Sequence, residues 1–175
     1  MRFQDIIKHC FIFLFFVGIQ VLWVKPFVFY DLAFCFIYFA AVITLPLALP
    51  TPMLLLLSFF IGISVDLFYD TVGIHAAACV AVMYARYNIV SMLTPLGGYD
   101  SNQEVSIHDM GFRWFIVYLL ILTFFHHFIV FMLEANTFSF FYWTLLKIFM
   151  STIFTVFMIT AFLYLFFTPS TKKSI

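Results

Sequence analysis

Long apolar runs, separated by short breaks of proline, glycine or charge, constrain this chain more than any other feature. Six such runs occur, and most approach the roughly 20 residues that a helix needs to cross a membrane. Only 9% of the 175 residues are charged and 66% are hydrophobic, whereas soluble domains carry roughly a quarter charged residues. We therefore expect an integral membrane protein, with a single membrane domain over residues 1–175 and no soluble domain.

The breaks divide the chain into six predicted transmembrane helices. Their expected bounds are about 6–24, 32–49, 52–68, 74–93, 112–133 and 148–167. Pro52 suits the first turn of the third helix, where a missing N–H costs nothing. The first run ends at Lys25 and Pro26 without a small-residue cleavage site, so we expect an uncleaved helix and not a secretory signal. The predicted fold class is an all-α, compact six-helix membrane bundle.

Basic residues predict the orientation, because they concentrate on the cytoplasmic side of membrane proteins. With a cytoplasmic N-terminus, six basic residues fall at or toward the cytoplasm and two fall outside. The inner set is Arg2, Lys8, Arg86, Arg113, Lys172 and Lys173, and the outer set is Lys25 and Lys147. Both termini and the polar loop over residues 94–110 are therefore predicted to be cytoplasmic. That loop is interpreted either as a solvated connector or as a contact for a cytoplasmic partner.

Several function classes lack the residues that they require. Eight basic against eight acidic residues leave no basic surface for nucleic acid. Cys10, Cys35 and Cys79 are widely spaced and form no CxxC pair, so they are interpreted as packing residues. The chain has no P-loop, no GxSxG motif and no HExxH spacing for zinc. We therefore expect no enzymatic activity, no metal and no cofactor.

A small polar stripe runs along the third predicted helix. Ser58, Gly62 and Asp66 recur every four residues and share one face, which suits close contact between helices. An ionisable side chain in hydrocarbon costs about 3 kcal/mol on insertion scales and so needs a reason. We expect Asp66 to cap the turn at Asp70 and Gly73, to meet a partner helix in the outer leaflet, or to belong to a proton or ion relay.

The fourth predicted helix has two contrasting faces. Ala77, Ala81 and Ala85 form a small-residue surface, which we expect to pack inside the bundle, while His75 and Arg86 lie on the opposite side. Arg86 is expected to reach toward the cytoplasmic interface or to pair with a carboxylate of another chain. His75 is expected to be a hydrogen-bonded residue and not a metal ligand. On this assignment the small polar stripe, or the aromatic-rich fifth and sixth helices, would meet a partner.

Three further polar residues lie in the fifth predicted helix. His126 and His127 are adjacent, so their side chains point about 100° apart and cannot chelate one ion together. Glu134 follows near the end of the helix. From depth alone, we hypothesise that Asp66, His75, one of these histidines and Glu134 form one hydrogen-bonded cluster in the outer leaflet.

Two stretches carry a family resemblance. They read FIGISVD over residues 60–66 and DTVGIHA over residues 70–76. A glycine four residues before an aspartate, followed by a Gly-x-His turn into the next helix, resembles the signature of the rod-shape-determining protein MreD family. TPLGGY at 94–99, MGFRW at 110–114, and the two histidines with Glu134 resemble one branch of that family. Ile63 and Ser64 depart from it, because leucines are usual there.

The resemblance implies a non-catalytic subunit of the bacterial cell-elongation machinery, located in the inner membrane and involved in cell shape and lateral peptidoglycan synthesis. The implied partners are an MreC-like bitopic protein and, less directly, a SEDS glycosyltransferase, the elongation transpeptidase and an MreB-like filament. The implied six-helix fold is similar to the substrate-binding subunits of ECF-type transporters. That similarity leaves an alternative open, a substrate-binding subunit for vitamin uptake, which would need an outward cavity with convergent polar groups.

Overall fold

The computed structural model describes residues 3–24, 28–99, 104–135 and 140–166, with side chains from residue 7 onward. The helices and strands are α1 Phe3–Ile19, β1 Val28–Phe29, β2 Ala33–Phe34, α2 Phe39–Ile43, α3 Thr51–Tyr69, α4 Ile74–Met92, α5 Ile107–Met110, α6 Phe112–Ala135 and α7 Phe141–Phe166, with a π-helical turn Gln20–Val24 after α1. Four of the basic residues used for the predicted orientation lie outside the described residues, as do residues 100–103 of the polar loop. These four are Arg2, Lys25, Lys172 and Lys173.

Within the part of the chain that the structure describes, four helical stretches are long and apolar enough to cross a membrane. They are Ile7–Val24, which joins α1 to its π-helical turn, and the helices α3, α6 and α7. α4 is as long as α3, at 19 residues, but is more polar, and it packs between α3 and α6. The mostly helical structure is therefore consistent with a multi-pass membrane protein.

The prediction of a second transmembrane helix at 32–49 is wrong. Val28 pairs with Phe34 in a two-stranded antiparallel hairpin, and helical structure is limited to the five residues of α2. Tyr30 and Asp31 adopt the left-handed backbone conformation, which makes the tight hairpin turn. The run is apolar enough for a helix, but several of its backbone groups bond to side chains of other helices.

Residues 33–45, here called the crossing segment, run through the centre of the bundle. Every residue from Cys35 to Ile43 is at most 4% exposed. At one end the Phe34 ring contacts Phe131, and at the other the Ile43 carbonyl accepts a hydrogen bond from Tyr118. These two contacts lie about 20 Å apart along α6. Such irregular backbone is tolerated at membrane depth because protein encloses it on all sides.

The remaining helix predictions agree more closely with the structure. The ranges 52–68, 74–93 and 112–133 correspond to α3, α4 and α6 within about two residues. α7 starts at Phe141, earlier than the expected 148, so Lys147 lies within the helix and does not mark its outer end. The predicted end of this helix at residue 167 lies outside the described residues.

The bundle has two distinguishable ends. Lys8, near the start of α1, forms an exposed ion pair with Glu104 of the polar loop, so both lie at one end, here called the loop end. The opposite end, which holds the α3–α4 turn, is here called the turn end. Trp114 Nε1 donates to the Leu93 carbonyl at 2.9 Å and to the Tyr99 hydroxyl at 3.2 Å, which ties the loop to α4 and α6.

Candidate functional site

The α3–α4 turn is built around the Asp66 carboxylate. Asp70 follows the end of α3 and Gly73 precedes α4, and both adopt the left-handed conformation, with φ of 56° and 78°. Gly73 has no side chain that could cap α4, and Asp66 supplies the cap from α3. Its two oxygens accept hydrogen bonds from the backbone N–H groups of His75 (3.0 Å) and Ala76 (2.9 Å). The cap satisfies two of the free amides at the helix start and places negative charge at the positive end of the helix dipole.

Side chains complete the environment of this carboxylate. The Thr71 hydroxyl donates to Asp66 Oδ1 at 2.5 Å, and His75 Nδ1 lies 3.1 Å from the same oxygen. Gly62 provides the space, because a Cβ atom there would lie 2.4 Å from the Ala76 Cα atom. We call Gly62, Asp66, Gly73 and His75 the α3–α4 joint. In this joint Asp66 caps the turn, which is the first of the three roles expected for it.

The small polar stripe of Ser58, Gly62 and Asp66 is buried within the chain. Gly62 and Asp66 both face the start of α4, where helix and turn approach most closely. The prediction that this stripe meets a partner is therefore wrong. Its small side chains permit close packing, as expected, but α4 of the same chain already occupies that side.

The predicted orientation of α4 is reversed. His75, Cys79 and Arg86 are at most 3% exposed. In contrast, Ala77 is exposed, and Ala81 and Ala85 are only partly buried. The prediction that the alanine face packs inside is wrong because the polar side chains of α4 find hydrogen-bond partners only in the interior of the bundle.

Arg86 is enclosed by its own chain at 2% exposure, so its side chain does not extend to the surface as the first expectation requires. Its Nη2 donates to the Leu45 carbonyl at 2.6 Å, and its guanidinium lies 5.9 Å from the centre of the Tyr118 ring. The Tyr118 hydroxyl donates to the Ile43 carbonyl at 3.1 Å. Both carbonyls lie at or just beyond the end of α2. Helical hydrogen bonding stops there, so these carbonyl groups need other donors. Arg86 therefore holds the crossing segment and is not presented to a carboxylate of another chain.

Gln20 holds the opposite half of the crossing segment. Its side-chain amide donates to the Cys35 carbonyl at 3.0 Å and accepts from the Tyr38 backbone N–H at 3.3 Å. The same Nε2 donates to the Tyr69 hydroxyl at 2.5 Å. Gln20 begins the π-helical turn of the first span, and such turns are frequent where a side chain must be aimed away from regular helix geometry. Sequence reasoning missed Gln20, although it is an isolated amide in an apolar run.

Two hydroxyl groups of α7 bind the start of the crossing segment. Ser151 Oγ accepts from the Phe34 N–H at 2.9 Å, and Thr155 Oγ1 accepts from the Phe36 N–H at 3.1 Å. They replace the bonds that an extended strand would otherwise make to a neighbouring strand. Sequence reasoning missed both residues. Their signal is a pair of small hydroxyl side chains one turn apart in an aromatic-rich helix.

His126 and His127 contact the crossing segment from α6, and both are fully buried. His126 Nε2 lies 2.7 Å from the Tyr38 hydroxyl, while His127 Nε2 lies 3.2 Å from the Thr155 hydroxyl. The His75 and His126 rings are 6.4 Å apart between centroids. Glu134 is exposed near the end of α6. The structure thus places His126 near the hydrogen-bonded pair Asp66 and His75, while Glu134 lies apart, so the hypothesised cluster is present only in part.

The polar side chains around the crossing segment and the start of α4 have a structural role. Within the described ranges, no group of three or more His, Cys, Asp or Glu side chains could hold a metal ion. Most polar atoms of this region are committed to backbone groups of the crossing segment or to the start of α4. No family model, curated protein or solved structure matches the chain.

Proposed function

We propose that this chain is a non-catalytic subunit of the bacterial cell-elongation complex, an MreD-like protein that binds an MreC-like bitopic partner in the inner membrane. The α3–α4 joint is the observation that carries the proposal. Its four residues belong to the two sequence stretches that resemble the MreD signature, and they act together in one turn. A shared structural role is what a family signature would preserve, whereas chance matches would be scattered through the fold.

The polar loop supports the same proposal. Tyr99 ends the TPLGGY stretch and Trp114 ends the MGFRW stretch, and these two side chains are hydrogen-bonded. The Tyr99 hydroxyl also donates to the Val90 carbonyl at 2.9 Å, near the end of α4. The second pair of resembling stretches therefore forms one contact at the loop end, as the first pair does at the turn end.

The outer face of α7 is the surface that we assign to the partner. Its inner face is used by Ser151 and Thr155, which hold the crossing segment. The exposed residues of the outer face are Tyr142, Phe149, Ile153, Phe157 and Tyr164. Aromatic side chains bury large areas with little loss of rotamer freedom, so this face suits a single foreign helix. Partner binding at this face would then leave the polar groups inside the bundle undisturbed.

Co-purification from the native cells in mild detergent tests this proposal, with all bound proteins and small molecules identified. We expect an MreC-like bitopic protein in near-equal amount. Phe149→Ala should lower its recovery about tenfold, because a buried aromatic contact is worth about 1.4 kcal/mol or more. Phe60→Ala is the matched control, since Phe60 is 54% exposed on α3 and Phe149 is 53% exposed on α7.

Two results would contradict the proposal. Recovery of the chain with an ATPase module and a stoichiometric vitamin-like ligand would replace the elongation function with vitamin uptake. If Phe149→Ala and Phe60→Ala recover the bitopic protein equally, the protein is still the partner, but the outer face of α7 is not the surface that binds it.

A further inference from the structure

An open groove runs along the bundle surface between α4 and α6. Its deeper part has a volume of about 650 Å³ and is lined by apolar side chains. These include Ala85, Ile89, Leu120, Ile121, Phe124 and Phe125. Its shallower part, of about 590 Å³, is lined by residues of the loop end, among them Leu93, Trp114 and Arg113. Val117 lines both parts, so the two parts adjoin along α6, from the loop end into the apolar part of the bundle.

The length of this groove fits a lipid acyl chain. From Arg113 to Phe124, α6 rises by about 17 Å. Half of the hydrocarbon core of a bilayer is about 15 Å thick. The groove therefore covers the depth of one leaflet, which is the depth that one acyl chain occupies. A transmembrane partner helix would instead need a contact surface along the full core of about 30 Å.

Arg113 is the cation among the residues that line the mouth of the groove. Arg113 is exposed and is the second residue of α6, at the loop end of the bundle. Among the residues that the structure describes, no carboxylate forms an ion pair with it, and Glu104 of the same loop is paired with Lys8. A guanidinium group binds a phosphate through two parallel hydrogen bonds. The Trp114 indole beside it is typical of the membrane interface.

We propose that this groove binds an anionic phospholipid, with the phosphate on Arg113 and one acyl chain lying between α4 and α6. The apolar lining accepts the chain and the single cation selects the anionic headgroup. The groove adjoins the outer face of α7, where the Phe124 and Phe149 rings lie 5.5 Å apart between centroids. Its test nevertheless does not depend on the identity of any protein partner.

Quenching of Trp114 by brominated lipids tests the site directly. The chain contains three tryptophans, and the other two, Trp23 and Trp143, are 73% and 53% exposed. Replacing both by phenylalanine leaves Trp114 as the only indole. The full-length variant is reconstituted in phosphatidylcholine vesicles that contain a small fraction of brominated phosphatidylglycerol or, separately, of brominated phosphatidylcholine. We expect about five-fold stronger quenching per molecule of the anionic lipid.

Variants separate the headgroup from the chain. Arg113→Gln should abolish the preference for phosphatidylglycerol, and Arg113→Lys should retain most of it because the charge stays. Lys147→Gln is the charge-matched control at the turn end and should leave the preference unchanged. Ala85→Phe fills the deeper part of the groove and should lower quenching by the anionic lipid toward that of phosphatidylcholine.

Equal quenching by the two lipids would overturn the proposal, as would a preference that survives in Arg113→Gln. Protection of Trp114 from both lipids in the natively purified complex, lost when a bound protein is removed, would assign the groove to a protein helix and would also overturn it.

Discussion

The two faces of α4 differ in burial, polarity and hydrogen bonding. The buried face carries His75 and Arg86, and each of these side chains is bonded to a neighbouring element. The exposed face carries Ala77 and Ala81, which are small and apolar. In lipid, small residues favour close helix packing, so the opposite arrangement was expected. An unpaired backbone group costs several kcal/mol in hydrocarbon. The need to pair such groups therefore determines the orientation of this helix more strongly than its small-residue surface does.

Removal of the Asp66 carboxylate should have the largest effect on the buried face. Asp66→Ala leaves two buried amides and the His75 side chain without their acceptor, and we expect the free energy of unfolding to fall by about 4 kcal/mol. Asp66→Asn should lose less, since an amide oxygen still accepts. Reversible unfolding in detergent micelles measures both. Asp70→Asn, at the exposed end of α3, should change the value by less than about 0.5 kcal/mol, and a similar loss in all three variants would contradict the capping role.

Arg86→Met tests the other end of the buried face. The variant keeps an apolar side chain of similar length but leaves the Leu45 carbonyl without its charged donor, so we expect a loss of about 3 kcal/mol in the same unfolding assay. Tyr87→Leu, one residue further along and 75% exposed, serves as the control. If Arg86 in fact lay at the interface, both variants would remain close to the parent protein.

Gly62→Ala probes the close approach that positions α4. The added methyl group would lie 2.4 Å from the Ala76 Cα atom, which is a backbone atom that cannot move aside. We expect a loss of about 2 kcal/mol. Gly18→Ala is the matched control, because outside the adjoining backbone of its own helix no described atom lies within 4 Å of the new Cβ. The higher helix propensity of alanine should leave the protein unchanged or slightly more stable. Equal effects at the two glycines would refute this contact.

The same substitution at two adjacent alanines tests the orientation of α4, with the smallest expected change in stability. Ala78 is fully buried and Ala77 is exposed. Ala78→Leu should overpack the core and cost about 1.5 kcal/mol, whereas Ala77→Leu should stay within about 0.5 kcal/mol of the parent. Thermal unfolding of the two variants side by side suffices. The reverse order of stability would restore the orientation predicted from the sequence.

The parts of the fold that could be predicted from the sequence depend on local signals. Apolar runs broken by proline, glycine and charge predict the positions of α3, α4 and α6, and the aspartate-to-glycine turn at 66–73 predicts a cap within one stretch of chain. The crossing segment could not be predicted in this way, because hydropathy is the same for a buried helix and for a buried irregular segment.

The polar contacts that hold the crossing segment could not be predicted from local sequence either. Ser151 and Phe34 are separated by 117 positions in the chain, and Arg86 and Leu45 by 41. Nothing in either local sequence indicates the other. Orientation of α4 depends on the same long-range contacts, which is why the alanine pattern predicted the wrong face.

Solid-state NMR in lipid bilayers, with backbone carbon chemical shifts measured over residues 28–49, decides whether the crossing segment exists. We expect helical shifts only at Phe39–Ile43, with extended values at Val28–Phe29 and Ala33–Phe34. Continuous helical shifts from residue 32 to residue 49 would contradict this expectation. The crossing segment would then be an ordinary transmembrane helix, and Gln20, Ser151 and Arg86 would lose the partners that explain their burial.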